Sequence, residues 1–388
     1  MSKRIQIYLL IILLFLVGCS NNSSVTGSLA AYTATALQPT AVVALTATNS
    51  SPEPIRTVTL PPATPTTIVS TATVASATVM PLSSSPPPLG RGSSFVYDQE
   101  KGEILAFGGS LSGVFEPRNE TWAWDGSSWK RYQPKVTPPA RANAALVYDP
   151  VLKKVVLFGG AQKDGQALGD MWAWDGQNWT RMAPVQSPTP RAGALMVYDA
   201  SRNEIVLFGG YDQKDGTFTF YSETWVFDGS TWKKKTLSNT PLNGEGAPPP
   251  SMVYDAVRKK VMLWQPIFGI WVWNGTDWDQ FKVTGEQPPL SIEGQLGYDE
   301  AKQVVLLRGS DQAKDSSAPP ETWLLKGEAW AIATEGKAPG PKSPEVTILY
   351  DSKQQKLEMV AFLGAKGSQD TVSIWAWDES GWQAVYMP

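Results

Sequence analysis

Two residue types that enzymes often use for nucleophilic and metal-dependent catalysis, His and Cys, are nearly absent from this sequence. The 388 residues include no His and a single Cys, Cys19. Without imidazole the chain cannot build a Ser-His-Asp or Cys-His nucleophile, or a histidine metal site. One Cys excludes an internal disulfide and cysteine-based zinc or iron–sulfur sites. The side chains left for recognition are carboxylates, arginines and aromatic rings.

Three arginines stand at equal spacing. Arg91, Arg141 and Arg191 follow one another at intervals of 50 residues. Together they could form a cationic ring that binds an acidic ligand. The alternative is structural, because an Arg can tie adjacent loops by donating to carboxylates and carbonyl oxygens. The sequence leaves both roles open.

An aromatic-rich run offers a second candidate binding site. Its sequence is Thr217-Phe218-Thr219-Phe220-Tyr221. Three rings in one loop could stack on a sugar or on a peptide. The alternative is a strand extension with alternate side chains packed down, since residues two apart share a strand face.

Two acidic turns could supply oxygen ligands to a calcium ion. They are Asp164-Gly165 and the stretch from Asp212 to Asp215-Gly216. Calcium takes six to eight oxygen ligands, and neither turn has the spacing of an EF-hand. Solvated turn residues are the simpler interpretation, so no metal or other cofactor is expected.

One dipeptide marks an internal repeat. A Tyr-Asp pair occurs six times at intervals of 44 to 56 residues. The pairs are Tyr97-Asp98, Tyr148-Asp149, Tyr198-Asp199, Tyr254-Asp255, Tyr298-Asp299 and Tyr350-Asp351. Periods of this size indicate propellers or related arrays. We divide residues 89–388 into six units of four strands, A to D, in which the Asp of each pair caps the A–B turn.

Tryptophan defines the repeat most sharply. Sixteen of the 17 Trp fall at three fixed positions, two in a Trp-x-Trp pair on strand C and one at the start of strand D. They are Trp122, Trp124, Trp129, Trp172, Trp174, Trp179, Trp225, Trp232, Trp271, Trp273, Trp278, Trp323, Trp330, Trp375, Trp377 and Trp382, with Phe227 and Leu325 at the two vacancies. Each pair forms one bulky apolar face. Six equal units favour packing these faces around a ring over a two-sheet sandwich.

The repeat resembles the kelch β-propeller family, including the central domain of galactose oxidase, over residues 91–388. The resemblance implies an all-β, six-bladed kelch-type β-propeller. The pattern is best kept in unit two, where Arg141 opens strand A and Gly159-Gly160 ends strand B. Both features decay in units four to six. The copper site of galactose oxidase implies His ligands and a Tyr–Cys cross-link, which this chain cannot form.

Loop lengths predict which face binds a ligand. In each blade the A–B and C–D turns share one face of the disc, here called the turn face, and the B–C and D–A connections share the other, the loop face. The B–C loops are long in five of the six units, and long loops concentrate binding. The loop face is therefore the candidate binding surface. Its candidate residues are Arg91, Arg141, Arg191, Arg118, Phe218, Phe220 and Tyr221, with Glu116, Lys163, Asp164, Asp212, Lys214, Asp215, Asp311 and Asp315 beside them.

The first 88 residues predict export and anchoring. Lys3-Arg4 and the apolar run over residues 5–17 fit a secretory signal, since about 20 residues are needed to span a bilayer. Leu16-Val17-Gly18-Cys19 resembles the lipobox of bacterial lipoproteins, which implies a lipidated Cys19 after an 18-residue signal peptide. The alternative is a plain secretory signal with an incidental Cys. Residues 19–88, rich in Ser, Thr and Pro, predict a disordered tether.

These observations predict a lipid-anchored protein on the extracytoplasmic face of the cell envelope. Its propeller would bind a protein or a glycan without catalysis, as a monomer. The formal net charge of -3 argues against a nucleic-acid partner. A carbohydrate-active, sialidase-like enzyme is the alternative, because Asp-Gly-x-x-Trp resembles the Asp-box turns of that family and Arg141 and Arg191 could serve its arginine cluster. A purely structural envelope component is the third possibility.

Overall fold

The computed structural model describes residues 78–79, 87–110, 115–244, 248–314, 318–333, 340–343, 345–363, 371–378 and 380–388. The chain separates into two compact units, residues 1–71 and 72–388, and all described residues belong to the second. Cys19, the signal peptide, most of the tether and Asp315 lie outside the described residues. The described part contains no helix long and apolar enough to cross a membrane.

Six antiparallel sheets form a six-bladed β-propeller, as the sequence predicts. Blades I and II consist of β2 (Arg91–Asp98), β3 (Glu103–Ser110), β4 (Thr121–Trp124) and β5 (Trp129–Gln133), then β6 (Ala145–Asp149), β7 (Lys154–Phe158), β8 (Met171–Trp174) and β9 (Trp179–Met182). Blades III and IV consist of β10 (Ala192–Asp199), β11 (Glu204–Lys214), β13 (Thr224–Phe227) and β14 (Trp232–Lys234), then β15 (Ser251–Asp255), β16 (Lys260–Gln265), β17 (Gly269–Trp273) and β18 (Trp278–Gln280). Blades V and VI consist of β19 (Ile292–Asp299), β20 (Val304–Asp311), β21 (Glu321–Lys326) and β22 (Ala329–Ile332), then β23 (Val346–Asp351), β24 (Lys356–Leu363), β25 (Thr371–Asp378) and β26 (Gly381–Tyr386).

Two short strands lie outside this plan. The first, β1 (Thr78–Val79), pairs antiparallel with β5 at the outer edge of blade I. It comes from the segment that the sequence assigns to the tether. The second, β12 (Thr217–Phe220), pairs with the end of β11 and lengthens blade III at the loop face.

The ring closes without a strand exchanged between the chain ends. Each blade takes its four main strands consecutively from the chain, and the innermost strands β2, β6, β10, β15, β19 and β23 contact one another in that order, ending with β23 against β2. At the closure Tyr97 donates to an Asp351 carboxylate oxygen at 2.7 Å. The rings of Trp124 and Tyr386 pack 5.2 Å apart. Among the described residues, contacts that involve side chains, and no strand pairing, therefore join blade VI to blade I.

The strand D tryptophans seal the interfaces between blades. Trp179 of blade II packs edge-on against Phe107 of blade I at 5.2 Å, and its indole N–H donates to Thr121 at 3.0 Å. Trp278 and Trp382 donate to the matching threonines of blades III and V. Trp179, Trp278 and Trp382 are thus buried with their one polar atom satisfied.

The turn face is built from short turns that carboxylates hold. Every Tyr-Asp pair ends strand A, and the Asp is almost wholly buried. In blade I Asp98 accepts from the backbone N–H groups of Glu100 and Lys101, which confirms the predicted cap. The Asp-Gly signal of strand C gives a four-residue turn, because Trp124 pairs with Trp129 and Asp125 accepts from the two serine N–H groups between them.

Candidate functional site

Arg141 lies where the D–A loop enters blade II. Its side chain is fully buried. The guanidinium group donates two parallel hydrogen bonds, of 2.6 and 2.9 Å, to the Asp170 carboxylate, and a third to the Gly159 carbonyl oxygen. Trp172 donates to the same carboxylate at 2.7 Å. Burial alone would raise the pKa of Asp170, but the Arg141 and Trp172 donors outweigh it and hold the pKa below its usual range.

Arg191 repeats the arrangement in blade III with a glutamate. Its fully buried guanidinium group donates to Glu223 at 2.8 Å and to the Gly209 carbonyl oxygen at 3.0 Å. The ring of Tyr221 packs beneath it, 4.2 Å from the guanidinium carbon. Burial would raise the pKa of Glu223, yet the Arg191, Lys234 and Trp225 donors lower it to about 2. Both arginines therefore tie loops together, which is the structural role that the sequence left open.

The arginines are hydrogen-bonded to the glycine pairs that end strand B. The Gly109 N–H donates to the Arg141 carbonyl oxygen at 3.0 Å, and the Gly160 N–H donates to that of Arg191 at 2.9 Å. A Cβ on Gly108 would lie 2.4 Å from the Arg141 carbonyl oxygen, in a backbone conformation with φ of +72°. Arg141 and Arg191 are thus held by the glycine pairs of blades I and II, whereas Gly209-Gly210 of blade III has no arginine at the start of unit four to hold.

The remaining two candidate arginines are partly exposed. Arg91 donates to Glu345 of blade VI at 3.0 Å, so this contact bridges the ring closure. Arg118 lies 3.8 Å from Glu120 and accepts at its carbonyl oxygen from the Arg141 N–H. The structure does not gather Arg91, Arg141 and Arg191 into one exposed cationic ring, since two of the three are buried among carboxylates and carbonyls.

The aromatic run forms a β-hairpin that extends the loop face. β12 pairs with the end of β11 so that Phe220 lies opposite Tyr211 and Phe218 opposite Gln213. Asp215 and Gly216 connect the strands with φ of +51° and +79°, the conformation of a two-residue hairpin turn. The strand interpretation is therefore the one observed, but the rings are not packed into the core.

Three rings of this hairpin lie side by side, and we call them the aromatic cluster: Tyr211, Phe218 and Phe220. Phe218 stacks on Phe220 with centroids 6.1 Å apart and lies 5.7 Å from Tyr211. Phe218 is 50% exposed. Its neighbours are half-buried, so the cluster presents an apolar surface to solvent.

Tyr211 connects this cluster to the centre of the ring. Its hydroxyl oxygen accepts from the Asn143 side-chain amide at 3.3 Å, and burial raises the pKa of the Tyr211 hydroxyl. Asn143 has a φ of +56° and lies on the path between the inner strands, since its N–H donates to Gly92 and its carbonyl accepts from Gly193. Sequence reasoning missed both residues. One sequence signal could have identified Tyr211. It directly follows Gly209-Gly210 and stands four residues before the Asp215-Gly216 turn.

The acidic candidates serve the loops around the hairpin. Asp212 accepts from the Ala167 N–H of blade II at 3.3 Å, and Asp164 accepts from the Gln166 N–H of its own turn. Lys163 pairs with Glu116 across blades I and II at 2.7 Å. Over the described residues, no three His, Cys, Asp or Glu side chains come together as a metal site would require.

Comparison with known proteins adds the fold and nothing finer. No protein-family model and no curated protein matches the chain. Among solved structures it is similar to one described as "Structure of YjhT", with a TM-score of 0.50 and 13% identity. The match covers 79% of this chain and 99% of that one. At this identity the likeness supports a common propeller architecture.

Proposed function

We propose that this protein is a surface-displayed, non-catalytic binding protein whose kelch-type propeller holds an extended segment of a partner protein on its loop face. The aromatic cluster carries the proposal. Its hairpin face presents Tyr211, Phe218 and Phe220 with one polar side chain, Gln213. Exposed aromatic residues grouped on a rigid element dominate the binding energy of protein interfaces. A sugar site needs a larger share of hydrogen-bonding groups than this face supplies.

Backbone geometry supports the same class of ligand. β12 lengthens the sheet of blade III and pairs with β11 along one side. Residues 217–219 are exposed, so an incoming strand could add to this edge and seat its side chains against the rings. The matching polar face of the hairpin carries Asp212 and Lys214, which could fix the register of a partner segment through charge.

Removing the rings of Phe218 and Phe220 should weaken this binding. For the full-length protein tested on an array of ten-residue peptides, Phe218→Ala with Phe220→Ala should weaken binding at least about tenfold, because buried aromatic contacts contribute about 1–2 kcal/mol each. Val151→Ala is the matched control, since Val151 is a 68% exposed apolar residue of the turn face. A glycan array is run in parallel with the same three proteins.

The two arrays separate the outcomes. Loss of peptide binding in the double variant alone supports a protein ligand. Loss of a glycan signal in the double variant, without any peptide signal, would assign the cluster to a sugar. Unchanged binding in the double variant would remove the hairpin from the site.

The contacts of the arginines argue against the sialidase-like alternative. The sialidase-like hypothesis requires Arg141 and Arg191 to be exposed at the mouth of the central channel. Both are fully buried, and their donors are committed to Asp170, Glu223 and backbone carbonyls. A carboxylate-binding arginine cluster must keep free donors for its substrate. We therefore retain the non-catalytic proposal.

Anchoring is proposed through Cys19, at the end of the apolar segment. A lipid on this residue would hold the propeller to the envelope, and stable anchoring needs more than one acyl chain. In a bacterial host, Cys19→Ser should move the protein from the membrane fraction to the soluble fraction and remove labelling by a palmitate analogue. Ser20→Ala is the control. Membrane retention of the Cys19→Ser protein would refute anchoring through a lipid on Cys19, whereas a plain secretory signal predicts that the wild-type protein is already in the soluble fraction.

A further inference from the structure

A cavity opens on the turn face, although the turns there are short. Its volume is about 1200 Å³, and it follows both sides of blade V. The C–D turn of this blade is only Gly327-Glu328, whereas Asp125 to Ser128 connect the same strands in blade I. Apolar side chains form most of the wall on the blade VI side: Leu306, Leu324, Ala331, Ala333, Leu357 and Trp377.

The other interfaces show what normally fills this place. The third residue after the strand D tryptophan covers the second aromatic position of strand C in the next blade. Tyr132 of blade I packs on Trp174 at 5.1 Å. Lys235 of blade III lies 5.8 Å from the ring centre of Trp273. Where blade VI meets blade I, a bulge shifts the covering residue by one position, to Tyr386.

Between blades V and VI, no large residue in the described part of the chain stands at the covering position. The equivalent of Tyr132 is Ala333, which lines the cavity together with Trp377. An alanine lacks the ring that Tyr132 supplies, so no large side chain among the described residues of blade V covers the cavity-facing side of Trp377. The hollow has the position of an aromatic ring packed edge-on against an indole.

The surroundings of this vacancy have changed with it. In blade I, Glu103 accepts from the Tyr132 hydroxyl at 2.7 Å and pairs with Lys130. The equivalent residues of blade V are Val304 and Ala331, and both line the cavity. Where blade I has a tyrosine and an ion pair, blade V therefore has three small apolar residues, Val304, Ala331 and Ala333. The result is a hollow that favours an apolar group.

The mouth of the cavity is cationic. Its lining includes four basic residues, Arg258, Lys260, Lys302 and Lys326, and two acidic ones, Asp299 and Glu328. Asp299 is buried and lies 4.0 Å from Lys302, and Arg258 is held by Asp255 and the Gly327 carbonyl. Lys326 is exposed and shares a strand face with Leu324, which places it above the hollow on the blade VI side.

We propose that this cavity is a binding site for a small aromatic acid. The aromatic ring packs edge-on against Trp377 in the place that Tyr132 takes against Trp174, and the carboxylate or sulfonate pairs with Lys302 and Lys326 at the mouth. The site lies on the face opposite the aromatic cluster, so it is independent of the proposed protein binding. A propeller with both sites could bind a partner on one face and a metabolite on the other.

The fluorescent aromatic sulfonate 1-anilinonaphthalene-8-sulfonate is a direct probe. Ala333→Tyr restores the side chain of the other interfaces, and we expect it to weaken probe binding at least about tenfold while leaving the midpoint of thermal unfolding unchanged or raised. The same substitution at an exposed site of the loop face, Ala313→Tyr, should not alter binding. Lys302→Ser with Lys326→Ser should weaken binding about three- to tenfold.

Two further ligands define the chemical class. The uncharged analogue N-phenyl-1-naphthylamine should bind more weakly than the sulfonate, and 3-phenylpropionate should displace the probe at a lower concentration than dodecyl sulfate. Equal binding of the uncharged analogue, or tighter binding of dodecyl sulfate, would overturn the assignment to an aromatic acid. Wild-type probe binding by a folded Ala333→Tyr protein would overturn the site itself. If Ala333→Tyr does not fold, unchanged binding by the double lysine variant has the same consequence.

Discussion

Replacing Arg191 by alanine should destabilise the propeller by about 3–5 kcal/mol, because the substitution removes the buried guanidinium group from beside a partly buried carboxylate. Glu223 would keep its contacts with Lys234 and Trp225 but would lose the hydrogen bond from the Arg191 guanidinium group. The carbonyl oxygens of Thr189 and Gly209 would lose donors as well. Chemical unfolding of the full-length protein at pH 7 measures the loss.

The pH dependence of this loss identifies its cause. The contacts of Glu223 lower its pKa to about 2 in the folded protein, from an ordinary value of 4.5. A lowered folded-state pKa contributes stability that is present above pH 4.5 and is lost as the pH falls towards 2. The difference in stability between wild type and Arg191→Ala should therefore be largest near neutral pH and should narrow between pH 4.5 and 2.

A second arginine on the adjoining blade gives the control. Arg181 is exposed on β9, and Arg181→Ala should change stability by no more than about 0.5 kcal/mol. If Arg191→Ala costs no more than Arg181→Ala, the guanidinium group does not hold the loops. If Arg191→Ala instead retains full stability and loses ligand binding, the arginine belongs to a binding site after all.

The repeat could be predicted from sequence because its signals are local. A Tyr-Asp pair ends a strand wherever a carboxylate caps the next turn, and Trp-x-Trp makes an apolar face by the geometry of a single strand. Both statements need only neighbouring residues. The number of blades then follows from counting, and the ring follows from the need to bury six such faces.

The role of the arginines could not be predicted in the same way. The sequence contains the partner signal, a carboxylate two residues before the first strand C tryptophan, as in Asp170 and Glu223. Whether Arg141 meets Asp170 or solvent depends on how two segments about 30 residues apart pack in three dimensions. The charge pattern alone is compatible with two roles. The arginines could form a ring that binds an acidic ligand, or they could connect adjacent loops. Only the burial of the guanidinium group distinguishes them.

The aromatic cluster and the cavity beside Trp377 were hidden for a related reason. Tyr211 belongs with Phe218 and Phe220 only once the register of the β11–β12 hairpin is known. The vacancy opposite Trp377 appears only when Ala333 is compared with Tyr132 across an interface between blades. In both cases the feature depends on a spatial contact between residues on different strands, and a pattern along the sequence does not show such contacts.

Trp124→Ala should be the most damaging change at the ring closure. Trp124 is fully buried between blades I and VI, where it contacts Trp129 and Tyr386. Removing a buried indole costs about 3–5 kcal/mol. Blades I and VI are joined by side chains such as Tyr97 and Asp351, and no connecting loop links them. The weakened interface should therefore open without unfolding the other blades.

The same substitution inside the ring isolates this effect. Trp273 occupies the equivalent position of blade IV and is also fully buried, at the interface with blade III. Trp273→Ala should lose similar stability, but the loop between β14 and β15 keeps its two blades together. In hydrogen exchange, amides of β2 and β23 should exchange through a partial opening in Trp124→Ala and only through global unfolding in Trp273→Ala. Equal exchange behaviour in both variants would mean that the closure is no weaker than the interfaces that the chain itself connects.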